Sequence, residues 1–245
     1  MRRFAQAIAE SATLPPGLPA AIARALADAP DRYNVGKASE AAVIARDGDG
    51  SIVVADMRWG LIPRWSKQPD TPYTTVTARL ERAASSRIFA QAWQQRPCVV
   101  AMTGYYKWDR QRRPPWPLFV QRQDGLALLA AGLWEHWEDG QGEQLDSFTV
   151  LTAPNTAIPA PLTADGPVFV EATTAMDWLS GAITTPARLQ SRATTAPLEA
   201  YPVSRAFGDP TRDDYTLLEP VDPDAPKGDG APAAWDGDGL DEDDA

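Results

Sequence analysis

The chain has 245 residues, with 23 basic and 33 acidic side chains, 44% hydrophobic residues, one histidine and one cysteine. That length is ample for one large domain with a real core; a single cysteine excludes an internal disulfide, and one Cys plus one His are too few for a Cys/His zinc site. No apolar run approaches the ~20 residues of a membrane span, and the start, Met1-Arg2-Arg3-Phe4, has no apolar signal core behind it, so a cytoplasmic protein with no membrane partner, metal or cofactor is expected.

In chain order, Ala20–Ala29 has apolar residues at helical spacing and reads as a short helix ending before Pro30. Ile44–Ala45 and Ile52–Ala55 flank Asp47-Gly48-Asp49-Gly50, a hairpin turn signal. Ala83–Gln95 is helical by composition, and Cys98–Thr103 is a continuous apolar run expected to be a buried strand. Leu118–Gln121 and Leu126–Leu133 bracket Asp124-Gly125 and predict a second hairpin. Phe148–Thr152 and Val168–Val170 read as further strands, and Thr174–Ser180 as a helical turn that packs Trp178 and Leu179. Strands dominate, and most links look like hairpins rather than crossovers. The expected fold is α+β: one domain over residues 1–221 on a curved, mainly antiparallel sheet or barrel with short flanking helices.

Residues 222–245 differ from the rest. They hold nine acidic side chains against Lys227, a net charge of −8, whereas residues 1–221 carry only −2. This segment is rich in Asp, Gly, Pro and Ala and is expected to be a disordered acidic tail. The near-neutral balance of residues 1–221 leaves room for a basic groove on the body. Three roles are open for it: a solvating tail, an internal mimic of nucleic acid lying over a basic groove, or a docking tail for a basic protein partner with Trp235 and Leu240 as anchors. Asp236-Gly237-Asp238-Gly239 lacks the later ligand spacing of a calcium loop.

Four segments carry the functional signal: Arg32-Tyr33-Asn34-Val35, Trp59-Gly60-Leu61-Ile62-Pro63-Arg64-Trp65, Thr77-Ala78-Arg79-Leu80-Glu81 and Thr103-Gly104-Tyr105-Tyr106-Lys107-Trp108. With Gly132-Leu133-Trp134-Glu135 and Ala160-Pro161-Leu162, they resemble the SOS-response-associated peptidase (SRAP) family along nearly all of residues 1–221. The resemblance implies the SRAP fold and a protein that processes abasic sites in single-stranded DNA. In that family an N-terminal cysteine, exposed by loss of the initiator Met, closes a thiazolidine on the abasic aldehyde. Its helpers are the Asn of an N-A-R-A-E motif, the Glu of G-F-Y-E-W and the His of H-x-R-M-P.

Here the family opening M-C-G-R-F is replaced by Met1-Arg2-Arg3-Phe4, and Arg2 stands for the cysteine. Thr77 stands for the Asn, Lys107 for the Glu and Thr163 for the His. Without a 1,2-aminothiol no thiazolidine closes. Lys107 reverses the charge of an acid/base carboxylate, and the Thr163 hydroxyl cannot shuttle protons as imidazole does. Cys98, inside an apolar run, reads as a core thiol, and His136, between two tryptophans, as a partly exposed strand residue. The expectation is a monomeric pseudoenzyme that binds single-stranded or damaged DNA through Arg3, Asn34, Trp65, Arg79, Lys107, Arg110, Arg112 and Arg113. Bland readings compete: Arg79 with Glu81 as a surface ion pair, Arg110–Arg113 as a solvated loop, Trp59 as core. Two alternatives stay open. One is an active enzyme whose Lys107, or the Met1 amine, forms a Schiff base with the abasic aldehyde, the nearby arginines lowering the pKa of Lys107. The other is a protein-interaction module with no DNA role.

Overall fold

The structure is a computed structural model that describes residues 1–71, Tyr73 and residues 75–225. Its elements in order are β1 (Phe4–Gln6), α1 (Ile8–Ser11), α2 (Ala20–Ala27), β2 (Arg32–Val35), β3 (Glu40–Arg46), β4 (Ile52–Trp59), β5 (Thr77–Arg79), α3 (Leu80–Ala83) and α4 (Ala90–Gln95). Then come β6 (Pro97–Met102), β7 (Gly104–Asp109), β8 (Trp116–Arg122), β9 (Leu128–Glu138), β10 (Gln144–Pro154), β11 (Asp165–Pro167), α5 (Ala172–Leu179), α6 (Pro186–Ser191), β12 (Leu198–Pro202) and two short 3-10 turns.

The strands form two sheets. The first runs β12-β8-β7-β1-β2 and is antiparallel throughout. In the second, the order β10-β4-β3-β6-β9 is closed by β9 pairing β10, so five strands make a ring. Its β4–β10 contact is parallel, and β5 and β11 add to β10 beyond the ring, β5 in parallel. The fold is therefore α+β on mainly antiparallel sheets, one of them a small barrel. Closure leaves these strands no free edge to aggregate.

Alternation sorts the ring's side chains. Ile44, Val99, Ala101, Leu129 and Leu151 face a cluster with helix residues Leu26, Trp93 and Trp178. Val43, Val100, Ala130 and Val150 face the other way, into a cluster with Phe4, Tyr105 and Val120 of the first sheet. Strands apolar on both faces read as unbroken hydrophobic runs, hence Cys98–Met102. The first sheet's far side packs Tyr106, Phe119 and Ala5 against Phe207 and Leu217 of the C-terminal turns. The layers run from helices to ring, first sheet and C-terminal turns. Close approach fixes two glycines: a Cβ on Gly132 would lie 2.5 Å from the Thr149 carbonyl oxygen, and one on Gly104 2.5 Å from the Phe119 ring.

The hairpin about Asp47–Gly50, the buried strand at 98–102 and the burial of Trp178 and Leu179 are as expected from sequence. Other expectations are corrected. The helix expected over Ala83–Gln95 forms only at Ala90–Gln95, α3 having ended at Ala83, because the Ser86 hydroxyl takes the Ile88 N–H at 3.2 Å and its carbonyl starts the later helix. The helix expected over Ala20–Ala29 stops at Ala27. Asp124-Gly125 is a turn but not a hairpin: β8 and β9 lie in different sheets, and the Thr13 backbone takes the Ala127 N–H instead. The strand expected at Val168–Val170 lies at Asp165–Pro167, followed by isolated bridges at Phe169 and Val170. No helix among the described residues is long and apolar enough to cross a membrane. Of the acidic segment, residues 226–245, including Trp235, Leu240 and Asp236–Gly239, lie outside the described residues.

Candidate functional site

The N-terminal arm is held by its neighbours on both sides. Phe4 pairs with Val35 of β2 and with Tyr105 of β7, and its ring meets Trp59 edge-on at 5.0 Å. This places Arg3 beside Asn34, whose Oδ1 accepts from Arg3 Nη1 at 2.9 Å. Asn34 is only 6% exposed, and its Nδ2 donates to the carbonyls of Asp209 (2.9 Å) and Arg212 (2.8 Å). Asp213 Oδ1 accepts the backbone N–H groups of Tyr33 and Asn34. Both amide donors and one acceptor position of Asn34 are thus taken inside the protein. Gly36 matters here because a Cβ would lie 2.9 Å from Arg3 Nη1. Burial lowers the Arg3 pKa, partly countered by Tyr106 and Asp209.

Aligned on Arg3-Phe4, the opening M-C-G-R-F sets its cysteine against Met1 and its glycine against Arg2. Met1 packs against the cluster containing Phe4, Trp59, Val76, Tyr105 and Leu162, whereas Arg2 is exposed. Either register leaves a side chain without a thiol. That cluster is the floor of the site, because Thr77 follows Val76, Lys107 lies two residues after Tyr105, and Thr163 follows Leu162.

Two of the substituted positions meet. Lys107 Nζ donates to Thr163 Oγ1 at 3.0 Å and to the Asp165 carbonyl. The chain reaches Thr163 through a loop tied by the Asn155 N–H to the Ala164 carbonyl (2.7 Å) and by Asn155 Oδ1 to the Ala157 N–H (2.9 Å). Thr77 is half-buried at the start of β5, opposite Val150. Arg79 is exposed, and with Leu80, Glu81, Thr152, Asp165 and Gln190 it lines a cleft of about 670 Å³. The ion pair considered between Arg79 and Glu81 is not formed; Glu81 pairs with Arg82 at 3.6 Å. Tyr105, where the family motif has Phe, carries a buried hydroxyl with no hydrogen-bond partner among the described residues. Burial pushes its pKa up, so it stays protonated.

The remaining candidates are Trp59, Trp65 and the Arg110–Arg113 loop. Trp59 is fully buried and donates to the Val76 carbonyl at 2.7 Å. Trp65 is 47% exposed, with the Arg87 guanidinium 5.3 Å above its ring. Arg110–Arg113 form the loop between β7 and β8. Arg113 donates to the Arg110 and Arg112 carbonyls, and Arg112 pairs with Asp224 at 2.7 Å. That bond raises the Arg112 pKa. Sequence reasoning missed Arg205, which lies over Trp116 (4.7 Å) and Trp108 (6.0 Å) behind this loop. It also missed Asp213. Nothing local marks either, since their partners lie about a hundred residues or more away in sequence. Cys98 is fully buried, and burial pushes its thiol pKa well up. His136 Nδ1 sits 2.7 Å from Asp146 Oδ1, on the β9–β10 hairpin. No group of three His, Cys, Asp or Glu that would hold a metal occurs among the described residues.

Comparison with known proteins fits this geometry. The family described as SOS response associated peptidase (SRAP) matches residues 3–210. An abasic site processing protein of Saccharomyces cerevisiae is 32% identical over 123 residues, 49% of this chain and 32% of its own length. Abasic site processing protein YoaM of Bacillus subtilis is 27% identical over 191 residues, 76% of this chain and 84% of its own. The chain thus spans about a third of the yeast relative and most of the bacterial one. A crystal structure of a protein from Bacteroides thetaiotaomicron superposes with a TM-score of 0.68 at 19% identity, covering 84% of this chain and 92% of that one.

Proposed function

Because the chain belongs to the SOS response associated peptidase (SRAP) family, we propose that it recognises single-stranded or damaged DNA without bonding to it covalently, in a DNA-damage setting. The relatives are abasic site processing proteins, and the family match runs over residues 3–210. The observation that carries the proposal is the contact between Lys107 and Thr163. Where the family keeps a carboxylate and an imidazole, this chain has an ammonium bonded to a hydroxyl and to the Asp165 carbonyl. No carboxylate or imidazole stands at these two positions, and the one thiol, Cys98, is fully buried. A fixed positive charge remains, which suits phosphate.

In this reading Arg79, Lys107, Arg110 and Arg113 meet the phosphates and Trp65 offers a stacking face. Arg112 joins them when Asp224 releases it. Arg3 and Asn34 act as positioning residues that hold the N-terminal arm against β7. The Schiff-base alternative needs a Lys107 amine released to attack, whereas its Nζ is engaged by Thr163 Oγ1 and the Asp165 carbonyl.

The test is incubation with a single-stranded oligonucleotide carrying one abasic site, run on native and denaturing gels side by side, with a borohydride-treated arm. Expected are a native shift that weakens as salt rises and no DNA-linked band after boiling. A boiling-resistant band refutes the inactivity. A borohydride-trapped adduct lost in Lys107→Ala establishes the imine route, and one retained in that variant points to the Met1 amine. No shift at low salt removes the DNA reading.

A further inference from the structure

We infer that the acidic segment 226–245 docks on the Arg110–Arg113 loop of its own chain and holds that loop against DNA phosphate. The competition rests on the DNA reading above; the docking does not. The described chain ends beside this loop. The Val221 N–H bonds the Pro202 carbonyl at 2.9 Å, and Asp222 then caps a turn through the Asp224 N–H, also at 2.9 Å. That turn aims Asp224 Oδ2 at Arg112 Nη2, 2.7 Å away. The next 20 residues hold seven acidic side chains and one lysine, a net charge of −6. They are therefore released within one residue of an ion pair already made to the loop.

Three considerations select this occupant. The first is charge: Arg110, Arg112 and Arg113 occur in four consecutive residues, and Arg113 has no carboxylate partner among the described residues. The second is reach. Twenty residues reach at most about 70 Å, more than enough to return to a four-residue loop. The third is tethering, which gives the segment an effective concentration on the order of millimolar without the entropy cost of recruiting a separate molecule. The Arg112–Asp224 pair is weak by itself, since the two side chains are 37% and 74% exposed. Its role is to set the register from which the other carboxylates follow.

The experiment uses the full chain. A spin label on Leu240→Cys, with Cys98 unreactive in the core, reports proximity by broadening backbone amide signals. Expected is broadening at residues 110–113 at low salt, relieved at high salt and by neutralising Asp236, Asp238, Asp241, Glu242, Asp243 and Asp244 to their amides. Broadening elsewhere, or none, overturns the docking. In parallel, single-stranded oligonucleotide affinity is compared between the parent and the neutralised chain. Expected is binding tightened about tenfold at low salt, the gap closing as salt rises. Equal affinities overturn the competition. If neither protein binds DNA while the label result holds, the DNA reading and the competition fail together and the docking stands.

Discussion

Replacing Asn34 by alanine separates a strut from a DNA contact. The Asn34 amide makes three hydrogen bonds, to Arg3 Nη1 and to the carbonyls of Asp209 and Arg212, at 6% exposure. A neutral internal hydrogen bond contributes about 1 kcal/mol and one to a charged group about 1.5–3 kcal/mol. The Asp209 carbonyl keeps a second donor, the Arg212 N–H at 3.2 Å, so its loss is the smallest. Together these give about 3 kcal/mol for Asn34→Ala. With a urea slope of about 2–3 kcal/mol/M, the unfolding midpoint, followed by tryptophan fluorescence, drops by about 1 M. Asn34→Asp is expected to do no better: it restores an acceptor for Arg3 but faces two carbonyls and the nearby Asp213 with a carboxylate. A midpoint for Asn34→Ala within about 0.2 M of the parent, less than about 0.5 kcal/mol on that slope, combined with lost oligonucleotide affinity, would refute the strut and make Asn34 a direct DNA ligand.

Glu135 is 2% exposed and bonded to Arg96 at 2.5 Å, so Glu135→Ala strands a largely buried guanidinium. A loss of about 3 kcal/mol is expected in the same urea assay, and a change below about 1 kcal/mol would mean the pair is dispensable. Asp124, Asp209 and Asp214 have pKa values lowered by hydrogen bonds, from Arg122, Thr211 and Thr216 respectively. Folded values below unfolded ones mean that their stabilisation is complete above the ordinary carboxylate range. It fades as pH falls through that range towards the folded values. Urea midpoints should therefore fall with acidification, and less steeply in Asp214→Asn; identical slopes would contradict this. Cys98 should react with a disulfide reagent only in denaturant, because the native thiol is buried and its pKa raised. Rapid labelling of the native chain would show that the 98–102 strand opens.

Local chemistry was legible wherever the partner was near in sequence. Asp47-Gly48-Asp49-Gly50 specified its hairpin because β3 and β4 are immediate neighbours. Cys98–Met102 announced burial because both of its faces are covered. The same logic failed at Asp124-Gly125, where the turn is real but the strands go to different sheets. At Ser85-Ser86 composition outvoted two hydroxyls able to bond the backbone. At the site, the motif positions Thr77, Lys107 and Thr163 were readable, as were buried Trp59 and exposed Trp65. The bond from Lys107 to Thr163 was not, since 56 residues separate them. Neither was the engagement of Asn34, whose acceptors lie 175 and 178 residues away.

Asp213 ties the second strand of the first sheet to a residue 180 positions later. Synthesis from the N-terminus therefore delivers Tyr33 and Asn34 long before the carboxylate that receives their amides. A nascent chain halted earlier displays those donors bare and leaves the Arg3 arm unbraced. The bracing of the N-terminal arm is thus completed only once the C-terminal turns have been made.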